Sequence, residues 1–193
     1  MFRSLIMALI LCAVLLPSPS RGGAPNATGF RALRTPYDFK YLKIRDYLTS
    51  IRKTNLEQWR PSFMIQQSRI HRYLKAARGF TFQEEGLLNC GQDADYWQLP
   101  EETEALGTGD CEDLAIWLYC QLLDEGFQNI RLTLGLAGGE DKTMHAWVTW
   151  YERGKLYILD PSRREGLYPS NELGSITYHP RYSYFFDSKW RHQ

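Results

Sequence analysis

Gly109-Asp110-Cys111-Glu112-Asp113, running directly into Leu114-Ala115-Ile116-Trp117-Leu118-Tyr119-Cys120-Gln121-Leu122-Leu123, is the stretch from which the rest of the chain can be read. The segment after Asp113 is apolar almost all round, the pattern of a helix buried in a core rather than laid on a surface. Gly126 is placed to stop it. Cys111 therefore falls at a helix N-terminus, where unpaired backbone N–H groups and the macrodipole stabilise a thiolate. Glu112 and Asp113 favour helix initiation by the same dipole argument. Their charge also raises the thiol pKa, so a reactive Cys111 requires a cationic partner.

His145 is the candidate for that partner. Thr143 to Tyr151 and Lys155 to Leu159 are rich in β-branched and aromatic residues, and Glu152-Arg153-Gly154 between them reads as a hairpin turn. If Glu152 pairs with Lys155, Trp147 faces Asp160, and His145 becomes the diagonal neighbour of Asp160 on one sheet face at roughly 7 Å. The arrangement depends on parity. A loop one residue longer would put His145 and Asp160 on opposite faces, so a triad requires an even loop. Pro161 would end the second strand and leave Asp160 at its tip. In such a set Cys111 attacks a carbonyl carbon, His145 holds the ion pair and protonates the leaving amine, and Asp160 fixes the imidazole tautomer. The backbone N–H of Cys111 is a natural oxyanion donor. A second donor is not fixed by spacing: Trp97, Gln92 and Gln98 are the candidates. Singly, each signal also has a structural explanation, with Cys111 as a small core residue, His145 as a satisfied strand histidine and Asp160 as a turn initiator.

The stretch Asp95-Tyr96-Trp97-Gln98-Leu99-Pro100-Glu101, then Gly107 to Asp113, His145-Ala146-Trp147 and Leu159-Asp160, resembles the transglutaminase-like superfamily, and within it the bacterial transglutaminase-like cysteine proteinases. The resemblance spans about residues 90 to 165. It implies an α+β, papain-like core with the Cys on a central helix packed against an antiparallel sheet that carries the His and Asp, here preceded by an N-terminal helical segment. It also implies a thiol peptidase, with periplasmic members that release adhesins and bind calcium through acidic residues beside the nucleophile. Those ligands would map onto Asp110 and Glu112, with Asp113 as a third. Calcium wants six to eight oxygens, more than these neighbours supply, and on sequence grounds plain helix-start acidity explains them better. Asp93-Ala94-Asp95 lacks the later positions of an EF-hand, and no zinc-ligand spacing occurs.

The first residues read as an exported leader: Arg3, then an apolar run from Leu5 to Leu16 too short to span a bilayer, then a small-residue exit through Ala24. The expectation is residues 1–24 as signal peptide and 25–193 as one cysteine hydrolase domain, periplasmic or secreted, with no stable membrane anchor. Loss of Arg3 and Arg21 leaves 21 basic against 22 acidic residues, a balance that calls for no nucleic acid. The partner expected is a protein or peptide substrate. Asn26-Ala27-Thr28 forms a sequon of little weight beside a leader. Three cysteines remain, Cys90, Cys111 and Cys120. On a continuous helix Cys111 and Cys120 lie about 13 Å apart on opposite faces. Cys90 with Cys120 is the pairing that leaves the nucleophile free.

Elsewhere, Tyr37 to Ala77 is helix-prone, with Pro61 opening a second segment and Gly79 closing it. Asn129 to Ala137 alternates as a strand, with Gly138 to Asp141 as the loop that follows it. The aromatic tail from Tyr178 to Trp190, interrupted by Pro180, reads as an edge strand. Three functions share this fold: hydrolysis of the thioester by water, its transfer to an amine as in a protein-glutamine acyltransferase, or binding alone. By resemblance more than by physics, the small, exported, single-domain layout favours the peptidase.

Overall fold

The computed structural model describes residues 30–31, 34–51, 62–84, 96–163, 167–170 and 176–193. The leader, the Asn26 sequon, Pro61, Cys90, Gln92 and the Asp93–Asp95 stretch lie outside the described residues. The elements run β1 (Phe30–Arg31), α1 (Asp38–Ile51), α2 (Phe63–Ala77), β2 (Thr81–Phe82), α3 (Pro100–Leu106), β3 (Thr108–Gly109), α4 (Cys111–Asp124), β4 (Ile130–Gly138), β5 (Lys142–Glu152), β6 (Lys155–Leu159), β7 (Leu167–Pro169), β8 (Thr177–Phe185) and β9 (Ser188–Arg191).

The apolar segment after Cys111 forms α4 and is buried as its pattern requires, with Ile116, Leu118, Tyr119 and Leu122 fully enclosed. It lies on one face of a seven-stranded antiparallel sheet of order β1-β9-β8-β4-β5-β6-β7. Ile130, Leu132 and Leu134 of β4 and Ala146, Val148 and Trp150 of β5 meet it from the sheet, and Ile44, Leu48, Ile70 and Leu74 close the core from α1 and α2. Burial of each such aliphatic side chain contributes about 1.5–3 kcal/mol. At the C-terminal end Gly126 takes φ 84°, and Phe127 N–H reaches back 3.0 Å to the Leu122 carbonyl while its ring is buried. This is the αL stop that Gly126 signals. The strand from Ile130 and the α1 and α2 helices likewise fall where the sequence puts them.

Two expectations change. The aromatic tail is not an edge: β8 sits inside the sheet, paired with β4 on one side and β9 on the other. Pro180, which has no N–H for the ladder, is accommodated by a register shift at Leu134/Gly135. There a Cβ on Gly135 would lie 2.1 Å from the His179 carbonyl oxygen, so only glycine allows the approach. Cys120 is a free thiol buried in the core, while Cys90, its expected partner, lies outside the described residues. No described helix is long and apolar enough to cross a membrane.

Candidate active site

The start of α4 is built by a reciprocal cap. Asp110 Oδ1 accepts the N–H groups of Glu112 (3.1 Å) and Asp113 (3.3 Å), and Asp113 Oδ2 accepts that of Asp110 at 3.2 Å. Asp113 Oδ1 takes the Gln98 N–H at 2.8 Å, which ties the segment before α3 to the helix end. Gly109 makes room for this, since a Cβ there would come 2.8 Å from the Asp113 Cβ. From the other side β2 pairs with β3 in parallel and fixes the approach to Cys111.

The hairpin has the even loop that the triad requires. Glu152 pairs with Lys155 and Val148 with Leu159 around Arg153 (φ 52°) and Gly154 (φ 75°), the left-handed pair of a two-residue turn. β6 ends at Leu159, and Asp160 follows at its tip. His145 Nε2 lies 2.7 Å from Asp160 Oδ2. The imidazole is 10% exposed and the carboxylate 3%, with the ring stacked against Trp147 at 6.2 Å. Asp160 is tied down on both oxygens. Oδ2 also accepts the Tyr178 hydroxyl at 2.7 Å, while Oδ1 accepts the Ser162 N–H at 3.1 Å and its hydroxyl at 2.7 Å. Arg163 Nε adds charge 3.2 Å from Oδ2 without hydrogen-bond alignment. Burial alone would raise the Asp160 pKa, but the hydrogen bond and charge of His145, then Tyr178 and Ser162, outweigh it and hold the carboxyl below its ordinary range. A carboxylate accepts only, so Nε2 carries the proton and Nδ1 is left as the basic nitrogen of the neutral ring.

Cys111 meets β5 at the place where that strand loses its second neighbour. Because β6 stops opposite Val148, the stretch of β5 from Trp147 back to Lys142 has no partner from β6, and the Ala146 backbone N–H bonds the Cys111 sulfur. That contact sets the sulfur one residue along the strand from His145. The thiol's own proton goes to Glu112 Oε2 at 3.0 Å. Burial pushes the thiol far above its ordinary range, the charge and hydrogen bond of Glu112 and the charge of Asp110 push it further, and the Ala146 N–H acts in the opposite direction. The thiol is neutral in this arrangement, so nucleophilic chemistry needs added positive charge beside it.

Asp110, Cys111 and Glu112 bring one ligand atom each within 4.8 Å of one another. Their carboxylates are hard donors that fit part of a calcium shell, and the sulfur is not. Asp113 differs from the other two: its two oxygens are taken by the backbone N–H groups of Gln98 and Asp110. Of the oxyanion candidates, Trp97 is buried in the core with its ring stacked 5.8 Å from Tyr37. Gln98 is anchored at the helix start, and its side-chain Oε1 is buried with no hydrogen-bond partner among the described residues. Gln92 lies outside the described residues.

Sequence reasoning missed Tyr178, Ser162, Arg163 and the Ala146 N–H. Ser162 was within reach, because Asp-Pro-Ser is the signature of a side-chain-capped turn, and Asp160 makes that turn with one oxygen while holding His145 with the other. Tyr178 arrives through the pairing of Ala137 with Tyr178, a long-range register that no local pattern announces.

No protein-family model matches the chain, and no curated protein matches it by sequence. Among solved structures it is similar to Legionella pneumophila LapG, with a TM-score of 0.54 and 21% identity over 78% of this chain and 86% of that one. The calcium-bound form of LapG aligns with the same TM-score at 22% identity, again over 78% of this chain and 86% of that one. The EGTA-treated form aligns at 0.54 and 21% over 78% and 84%. With a buried Cys-bearing helix laid on an antiparallel sheet whose strands present His145 and Asp160, the chain has the α+β, transglutaminase-like papain-like fold.

Proposed function

We propose that the chain is an exported cysteine peptidase, cleaving amide or isopeptide bonds through Cys111, His145 and Asp160 and a thioester on Cys111. The observation that carries this reading is the 2.7 Å His145–Asp160 bond, made where β6 ends and the Cys111 sulfur takes the Ala146 N–H. His145 Nδ1 accepts the thiol proton, the sulfur attacks the carbonyl carbon, and the imidazolium returns the proton to the leaving amine. Water, activated by the same nitrogen, then resolves the thioester. The Cys111 N–H is the first oxyanion donor, and Gln98 or Trp97 the second. Calcium held by Asp110 and Glu112 would offset the carboxylate charge that keeps the thiol protonated. In support, the fold neighbours include a calcium-bound structure. The substrate is a protein or peptide met outside the cytoplasm after removal of the leader.

A second reading, a cleft used for binding alone, is favoured by the protonated thiol bonded to Glu112. The test is mass spectrometry of bacterial envelope proteins incubated with the wild type or Cys111→Ala, with calcium and an isotopically labelled amine. New termini that need Cys111 support hydrolysis. Label incorporation assigns acyl transfer instead, and the absence of both assigns binding.

A further inference from the structure

The sheet face turned away from α4 holds a buried arginine that has no acidic partner among the described residues. Arg131 is 8% exposed, stands opposite Thr149 on β5, and has the Trp190 ring over its guanidinium at 3.5 Å. The ring covers one face of the guanidinium but offers no acceptor in its plane. Among the described residues, Nη1 is buried with no hydrogen-bond partner and no carboxylate makes an ion pair with the group. Burial pulls its pKa down to about 10, so it is still a cation at neutral pH. An enclosed charge left alone is strongly unfavourable. A planar fork of five donors is matched by an oxyanion bound through two oxygens.

A cavity of ≈ 50 Å³ opens beside the guanidinium, lined also by Thr133, Thr149, Ser183 and His192, and by no acidic side chain. That is room for about three or four water-sized centres, the size of a carboxylate or phosphate group. The hydroxyls are ordered: Thr133 and Thr149 lie 3.2 Å apart, and Ser183 Oγ is 2.9 Å from His192 Nε2. We propose that this concavity is a binding site for a small oxyanion, a carboxylate or phosphate group gripped by Arg131 with Thr149 and Ser183 at its rim. It is separate from the candidate active site, because Thr149 is four residues beyond His145 on β5, about 13 Å along the strand.

The test follows the Arg131 Nε–H resonance and the melting temperature of the full chain in buffer free of strongly binding anions, titrated separately with sodium phosphate and sodium acetate. The expected result is a saturable Arg131 shift and a rise in Tm, the tighter anion identifying phosphate or carboxylate as the natural group. Arg131→Met should abolish both responses and, having removed an unpaired buried charge, melt no lower than the wild type in the starting buffer. Thr149→Val and Ser183→Ala, which keep the guanidinium, should weaken binding several-fold. Failure of both anions to shift Arg131 in the wild type overturns the proposal. A lower Tm for Arg131→Met in the starting buffer does so as well, by showing that the guanidinium already has a partner within the chain.

Discussion

Asp160→Asn tests the best-defined part of the candidate site with a change of one atom. In the wild type, Oδ1 faces two Ser162 donors and Oδ2 faces His145 Nε2 and the Tyr178 hydroxyl. The asparagine oxygen must stay with the Ser162 N–H, which turns its NH₂ toward Nε2. Donor then meets donor unless the ring moves its proton to Nδ1, the nitrogen that accepts the thiol proton in the proposed reaction. The loss of charge-assisted hydrogen bonds, partly offset by no longer burying a charge, amounts to about 2 kcal/mol. For a domain of this size that is a fall in Tm of about 4–8 °C. The wrong tautomer should lower turnover by about 10⁴-fold, as the same swap does in a serine-protease triad. The pH dependence has a definite sign. Because the folded Asp160 pKa is depressed, its stabilisation is present above the unfolded carboxyl value of about 3.9 and is lost as pH falls through the lower folded value, so the Tm gap between wild type and variant should narrow in acid. Imidazole ¹⁵N spectra read the tautomer directly, and calorimetry across pH reads the stability. A variant whose His145 keeps its proton on Nε2 and melts with the wild type at neutral pH refutes the reasoning.

Glu112→Gln removes the charge nearest the thiol, so the rate of Cys111 alkylation by iodoacetamide at pH 8 should rise several-fold; an unchanged rate means that burial and the Asp110 charge hold the thiol up without Glu112. Asp110→Asn keeps a good N-cap while losing a carboxylate. Calcium should therefore raise the Tm of the wild type more than that of this variant, and equal shifts would place the ion elsewhere. Gly135→Ala drives a methyl against the His179 carbonyl oxygen, and expression with circular dichroism should show a destabilisation of more than about 3 kcal/mol or no folded protein.

The parts of the fold visible in the sequence are those set by neighbours in the chain. The all-round apolar run after Asp113 dictated a buried helix, Gly126 its stop, and Glu152-Arg153-Gly154 a hairpin, whose even parity was a condition of the triad until the pairing of Glu152 with Lys155 met it. Asp160 was legible because Pro161 ends the strand there. What could not be read depends on distant pairing. The place of β8 inside the sheet follows from its register with β4, where Pro180 and Gly135 accommodate each other, and this register also delivers Tyr178 to Asp160. The sequence did show that acidic neighbours would raise the thiol pKa, but not that Glu112 would take the thiol proton or that burial would be the larger cause.

The central claim is that Cys111, His145 and Asp160 act as one hydrolytic unit. The direct measurement is turnover of an internally quenched peptide mixture, with calcium present, by the wild type, by Cys111→Ala, His145→Ala and Asp160→Ala, and by the triple variant. Groups that work as a unit are strongly non-additive, so Cys111→Ala and His145→Ala should each fall to about the level of the triple variant. Turnover that survives Cys111→Ala, or losses that multiply from one substitution to the next, would contradict the account.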